Sequence, residues 1–377
     1  MIKRLLEKRI RNDLFKGKVI IVYGARRVGK TTLSKQLLSE FSMAGKYLNC
    51  EILSVEKNLT EREPEKLRAF LGTNKVIVLD EAQVIPDIGK VLKLINDTIK
   101  DVQIIATGSS SFDMAYKTSE TLTGRAYHYV MYPLSVLELT AENDWMYLAS
   151  NLERLLLFGL YPQVFLSDNE EAVRELEEIS SSYLFKDLLH YDGIKKSRLL
   201  KDLLISLALQ LGSEVSYNEL ANKLGVNSMT IQKYIDLLEQ CHIIFRLNSF
   251  SRNLRKELSK SFKVYFYDNG IRNALINNYN PLSMRNDAGA LWENFCISER
   301  IKSNNYLGRK VNSYFWRTYD QKEIDYIEET GGKITGYELK YSEAKKKLSF
   351  KEFSDTYKAK VNVVNLLNYR EFFEGAI

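Results

Sequence analysis

The feature that most constrains this chain is a short loop, Gly24-Ala25-Arg26-Arg27-Val28-Gly29-Lys30-Thr31-Thr32, placed directly after the apolar run Val19-Ile20-Ile21-Val22-Tyr23. It fits G-x-x-x-x-G-K-[ST] between a strand and a helix, the helix being predicted over 31–41. Glycines at those points let backbone N–H groups turn inward around phosphate oxygens, and the helix N-terminus adds positive potential. Lys30 would reach the β- and γ-phosphates, and Thr31 would offer its hydroxyl to Mg²⁺. The whole loop, Thr32 included, is therefore a candidate nucleotide-binding segment. The plain alternative is a glycine turn that merely joins a strand to a helix.

Such a loop needs a sheet behind it. Continuous apolar runs at 19–23, 46–49, 76–79 and 102–106 alternate with helical stretches, so the region 18–136 reads as a doubly wound α/β layer on a parallel sheet buried on both faces. Val76-Ile77-Val78-Leu79-Asp80-Glu81 has the Walker B form of apolar residues ending in two acids. There Asp80 would orient Mg²⁺, directly or through water, and Glu81 would polarise the attacking water. The run 102–106 ends in Thr107-Gly108-Ser109, where a polar side chain, Thr107 ahead of Ser109, can sense the γ-phosphate; a glycine turn capping a strand is the alternative.

These motifs resemble a known family. The loop with Arg26, Leu79-Asp80-Glu81-Ala82-Gln83, Thr107-Gly108-Ser109-Ser110, and Gly124-Arg125 followed by Tyr132-Pro133-Leu134-Ser135 are similar to those of bacterial and archaeal AAA-type P-loop ATPases. More narrowly, they resemble the group fused to a C-terminal domain of unknown function that ends in a restriction-endonuclease-like module. Gly159-Leu160-Tyr161-Pro162 and Tyr183-Leu184-Phe185-Lys186-Asp187 fit that group's linker, with Leu160 standing where the group often has glycine. The resemblance implies a ring or other homo-oligomer in which Arg125, reaching across a subunit interface, acts as an arginine finger. A surface arginine pairing with a local carboxylate is the competing account.

Length and composition place this module in a larger chain. The 377 residues suggest two to three domains, and 45% hydrophobic with 27% charged residues excludes wholesale disorder. A net charge of +6 is compatible with nucleic acid. Three scattered cysteines and three scattered histidines argue against a disulfide framework or a Cys/His zinc site, and for a reducing compartment. No apolar run approaches the roughly 18 residues of a membrane span, and the start lacks a signal-peptide core. The expectation is a cytoplasmic protein without a membrane partner. The basic residues Lys3, Arg4, Lys8, Arg9 and Arg11 read as a solvated helix face.

The expected division is an ATPase domain at 1–145, a helical linker at 146–210, a winged helix-turn-helix at 211–280 and a mixed α/β module at 281–377. Helices over 216–224 and 228–240 flank the turn Gly225-Val226-Asn227. Their apolar stripes, Leu220, Ala221 and Leu224 against Ile231, Tyr234, Ile235 and Leu238, leave Ser228, Thr230, Gln232 and Lys233 outward for DNA. The loop 251–263 carries Arg252, Arg255, Lys256, Lys260 and Lys263 against the single acid Glu257, which suits phosphate contacts. Winged helices also bind proteins, and a basic loop is often only a solvated face.

In the last module Gly331-Gly332 is a two-residue hairpin loop between strands at 323–327 and 334–341. Its register sets Asp325 opposite Glu338, and alternation puts Lys340 on the same face. Two facing carboxylates repel unless a cation lies between them; Mg²⁺ or Mn²⁺ would suit and would activate water for phosphodiester attack. This D…E-x-K arrangement resembles the PD-(D/E)xK nuclease core, and the resemblance adds Glu293 on the preceding helix. A lysine that simply neutralises the pair is the alternative. The leading expectation is thus a Mg²⁺-dependent ATPase that binds DNA, with a metal-dependent nuclease in its last module. The alternative is an ATP-gated switch that binds a protein partner, its last module an inactive scaffold. A small-molecule kinase fits the loop but not the winged helix.

Overall fold

The computed structural model describes residues 2–41, 44–108, 122–183, 197–251, 262–318, 322–342 and 350–375. The chain forms two compact units, Met1–Leu134 with Gln240–His242, and Ser135–Glu239 with Ile243–Ile377.

The first unit runs α1 (Leu5–Asp13), β1 (Val19–Tyr23), α2 (Lys30–Ser39), β2 (Gly45–Asn49), α3 (Leu53–Thr60), α4 (Pro64–Leu71), β3 (Val76–Asp80), α5 (Ile88–Thr98), β4 (Gln103–Gly108) and β5 (Ala126–Val130). The strands form one sheet in the order β2-β3-β4-β1-β5, parallel throughout. Residues of β1, β3 and β4 are almost all buried, as continuous β-branched runs require when helices cover both faces. Helix α5 contributes Ile88, Val91, Leu92 and Ile95 to that core. Strand β5 was not foreseen. Its sequence Ala-Tyr-His-Tyr-Val sits at the sheet edge with most residues only half covered, so it lacks the apolar run that marks the inner strands.

The second unit opens with α6 (Val136–Glu142), α7 (Trp145–Phe158), α8 (Pro162–Leu166) and α9 (Asn169–Glu178). Ser135 caps α6 with a reciprocal Ser–Glu138 box. After α7 the chain turns at Gly159 (φ +75°), where a Cβ would lie 2.0 Å from Asp268 Oδ1, while Leu160 N–H donates to Asp268 Oδ2 at 2.6 Å. The turn thus wedges against a buried carboxylate, which explains its glycine; Leu160 needs none. Of the second linker motif only Tyr183 is described.

Then follow α10 (Ser197–Leu209), β6 (Glu214–Val215), α11 (Tyr217–Leu224), α12 (Ser228–Gln240), β7 (Ile244–Ser249), β8 (Phe262–Phe266), α13 (Asn269–Leu275), α14 (Ala288–Tyr306), β9 (Asn312–Arg317), β10 (Glu323–Thr330), β11 (Lys333–Leu339), α15 (Lys351–Tyr357), β12 (Lys360–Val364) and α16 (Tyr369–Glu374). Gly225, in the left-handed region, ends α11, and Ile231, Tyr234, Ile235 and Leu238 are the buried stripe of α12. Strand β8 pairs antiparallel with both β6 and β7, and β7 joins β9 in parallel. One seven-stranded sheet, β12-β11-β10-β9-β7-β8-β6, therefore runs across residue 280. Gly331 and Gly332, both at positive φ, close the β10–β11 hairpin with Tyr326 opposite Tyr337, the register that loop predicts.

Candidate functional site: a phosphate loop and an acidic cluster

Strand order builds the first site. Because β4 lies between β1 and β3, three strand ends bring the phosphate loop, Thr107 and Asp80 side by side. Gly24 (φ +149°) packs so tightly that a Cβ would lie 2.0 Å from the Met131 carbonyl oxygen. Gly29 (φ +99°) opens α2, and Lys30, which follows, is buried with its ammonium donating to the carbonyls of Gly24 (3.0 Å) and Ala25 (2.6 Å). The cation therefore sits inside the ring of loop backbone.

Asp80 is the hub. Its Oδ2 accepts from Thr31 Oγ1 at 2.8 Å and from the Tyr47 hydroxyl at 2.5 Å, and its Oδ1 accepts from Thr107 Oγ1. Glu81 follows at φ +52°; its N–H points to Thr107 Oγ1 at 3.4 Å, and Gln83 Nε2 donates to its Oε2 at 2.5 Å. A hydroxyl and a carboxylate in contact are hard oxygen donors, a set that suits Mg²⁺ when phosphate and water fill the other positions. Lys30, Thr31, Asp80, Glu81 and Thr107 thus meet; Ser109 and Ser110 lie outside the described residues.

Arg125 does not join them. Val19 N–H donates to its carbonyl at 2.9 Å, which fixes it at the start of β1, whereas the phosphate loop leaves the end of that five-residue strand. At about 3.3 Å per residue the separation is about 13 Å. Its half-exposed guanidinium pairs with Asp97 at 2.8 Å.

Arg4 departs from expectation, and Tyr47 was not expected at all. Arg4 is not on a solvated face: it is 6% exposed and donates to Val28 O (2.6 Å) and Tyr132 O (2.8 Å), pinning the phosphate loop from below. Its short cationic stretch looks like any surface helix, and only the fold shows the carbonyls that receive it. Tyr47 carries no sequence signal either, because nothing in a single strand tells which carboxylate its neighbour will present.

The second unit gathers the other predicted set. Lys340 Nζ stands 2.6 Å from Glu338 Oε1 and 3.7 Å from Asp325 Oδ2, and Leu339 N–H donates to the same Asp325 oxygen at 2.8 Å. Glu293 accepts from the Tyr265 hydroxyl at 2.6 Å and faces Lys263 Nζ at 3.3 Å; Lys263 also pairs with Glu323. Burial, then the charge of Asp325, pushes the carboxyls of Glu293 and Glu338 up to about 7. Burial raises Asp325 as well, against the pull of Lys340 and Lys263.

Lys263 corrects the expectation for the basic loop. It is 2% exposed and neutralises this cluster, so it is not available to phosphate. Arg252, Arg255, Lys256, Glu257 and Lys260 lie outside the described residues. Among the described residues no group of three or more His, Cys, Asp or Glu side chains is arranged to hold a metal ion. Among the described residues, Glu338 Oε2 is one of several buried side-chain atoms with no hydrogen-bond partner. No helix among the described residues is long and apolar enough to cross a membrane.

Three stretches of the chain are similar to known families. Residues 16–140 match an AAA domain, residues 149–282 a domain of unknown function (DUF8612), and residues 288–373 another (DUF4143). The uncharacterized protein Rv2008c of Mycobacterium tuberculosis is 27% identical over 339 residues, covering 88% of this chain and 72% of its own. An uncharacterized protein of Haemophilus influenzae is 26% identical over 333 residues, covering 81% and 78%. The Walker-type ATPase PABY2304 of Pyrococcus abyssi overlays 73% of this chain and 96% of its own, at 15% identity and a TM-score of 0.48. The chain is thus similar to AAA domains over residues 16–140 and to a C-terminal domain of unknown function over residues 288–373.

Proposed function

We propose that this chain is a Mg²⁺-dependent ATPase that couples hydrolysis to work on DNA. The observation that carries the ATPase reading is the contact of Thr31, Thr107 and Tyr47 on the single carboxylate of Asp80, with Glu81 next in sequence. In this reading Lys30 neutralises the β/γ oxygens of ATP and Thr107 senses the γ-phosphate. Glu81 orients a water in line with the γ-phosphorus and draws off its proton as the bond to ADP breaks. Thr31 and Asp80 would hold Mg²⁺, whose charge offsets that of the phosphates. Arg125 would serve only across a subunit interface, since its own phosphate loop is out of reach. The Glu81→Gln protein should bind ATP like wild type and hydrolyse it at least 100-fold more slowly; normal turnover would remove Glu81 as the base.

For DNA the support is the order α10-β6-α11-α12-β7-β8, that of a winged helix, with Gln232 and Lys233 exposed on α12. The nuclease reading draws on Asp325, Glu338 and Lys340 sharing one face, and on the unpartnered Glu338 Oε2, an acceptor suited to Mg²⁺ or Mn²⁺. A second reading, an ATP-gated switch for a protein partner with this module as scaffold, is favoured by Lys263, whose buried ammonium already neutralises Glu293 and Glu323.

A further inference from the structure

We propose that Tyr47 is a positioning residue for the magnesium site, and that Lys35 holds it in place. The inference rests on the ATPase reading and concerns the side of Asp80 that faces away from Thr107.

Asp80 is 4% exposed, so its carboxylate needs donors from the protein. Thr107 satisfies Oδ1, while Thr31 and Tyr47 together fill Oδ2. The consequence lies in Thr31. A hydroxyl has one proton and two acceptor lone pairs. With its proton committed to Asp80, Thr31 keeps its lone pairs for a cation. That arrangement holds only while the carboxylate plane is fixed, and the χ2 torsion of an aspartate is broad and roughly two-fold. Tyr47 supplies the second donor on Oδ2 that stops the rotation, through a hydrogen bond to a charged acceptor. A phenol keeps its proton at neutral pH, so Tyr47 serves as a donor there.

Lys35 completes the device. It lies one turn after Thr31 on α2, and its Nζ stands 4.6 Å from the centroid of the Tyr47 ring. Residues i and i+4 share a helix face, so one face of α2 presents the metal-holding hydroxyl and the cation that seats the tyrosine. Neighbours of this kind typically change metal affinity 10–100-fold when removed. Because Tyr47 is half exposed, the lower end applies.

The test is Tyr47→Phe in the full chain, which keeps the ring and removes only the hydroxyl. Two curves are measured against Mg²⁺ concentration: ATP turnover, and equilibrium binding of a non-hydrolysable fluorescent ATP analogue. Both should move to about tenfold higher Mg²⁺, with ATP binding in EDTA unchanged, while the lost bond to a charged acceptor lowers the thermal midpoint. Lys35→Met should shift both curves the same way by less, and Lys35→Arg should restore them. Mg²⁺ curves of Tyr47→Phe that superimpose on wild type would overturn the proposal, as would a shift equally large in EDTA. A wild-type protein that binds the analogue with Mg²⁺ but never hydrolyses ATP would sink the ATPase reading alone, because the binding curve would still decide the role of Tyr47.

Discussion

Replacing Arg4 by methionine should damage the phosphate loop from a residue at the far end of the sequence motif map. The guanidinium makes two short bonds to backbone carbonyls, 2.6 Å to Val28 and 2.8 Å to Tyr132, and only 6% of the residue is exposed. Methionine fills most of the volume but donates nothing, so two carbonyls lose their charged donor. Hydrogen bonds to charged groups contribute about 1.5–3 kcal/mol each. The first unit should therefore lose about 3–6 kcal/mol. Val28 lies inside the loop, one residue before Gly29, so the loosened backbone should also weaken ATP binding by at least tenfold. Lysine offers one compact donor in place of a planar fork and should recover about half of the loss. Unfolding in urea followed by far-UV circular dichroism is the suitable assay, since the three tryptophans, Trp145, Trp292 and Trp316, all lie in the second unit. Titration with a fluorescent ATP analogue reads the second effect. If Arg4→Met unfolds at the wild-type urea concentration and binds the analogue equally well, the strut carries no load and the reasoning fails.

The remaining predictions concern the second unit and the subunit interface. Lys263→Met should destabilise the second unit by about 3–5 kcal/mol at pH 8, because it leaves the Glu293 carboxylate without its ion pair. An acid whose folded pKa is raised binds its proton more tightly when folded, so Glu293 makes wild-type stability fall as pH rises from about 4.5 to about 7. Without Lys263 that fall should extend to higher pH, making the mutational loss smaller at pH 5.5 than at pH 8 in tryptophan-monitored urea unfolding; an equal loss at both would contradict this. Arg125→Ala should keep ATP affinity while losing most turnover, and unchanged turnover would leave only its pair with Asp97. Supercoiled plasmid incubated with Mg²⁺ or Mn²⁺, with and without ATP, should be nicked by wild type and spared by the Asp325→Ala, Glu338→Ala double mutant. No cutting by wild type under either metal would favour the scaffold reading.

The sequence by itself determined every element whose signal is local. Backbone turns that demand glycine announced Gly24 and Gly29, and the buried runs of β1, β3 and β4 announced a parallel sheet. The Gly331-Gly332 loop fixed the β10–β11 register, because the side-chain period of two leaves no freedom once the turn is set. Edge strand β5, half covered and without an apolar run, gave no such signal. Only the tertiary structure decided which polar groups share a carboxylate. Tyr47 reaches Asp80 because β2 lies beside β3, Arg4 finds two carbonyls 24 and 128 residues away, and Lys263 enters an acid cluster instead of facing solvent. A charged or phenolic side chain reads the same in sequence whether its partner is water or a buried group. Its role is set by the desolvation it meets in the fold, and desolvation is a property of neighbours that are distant along the chain.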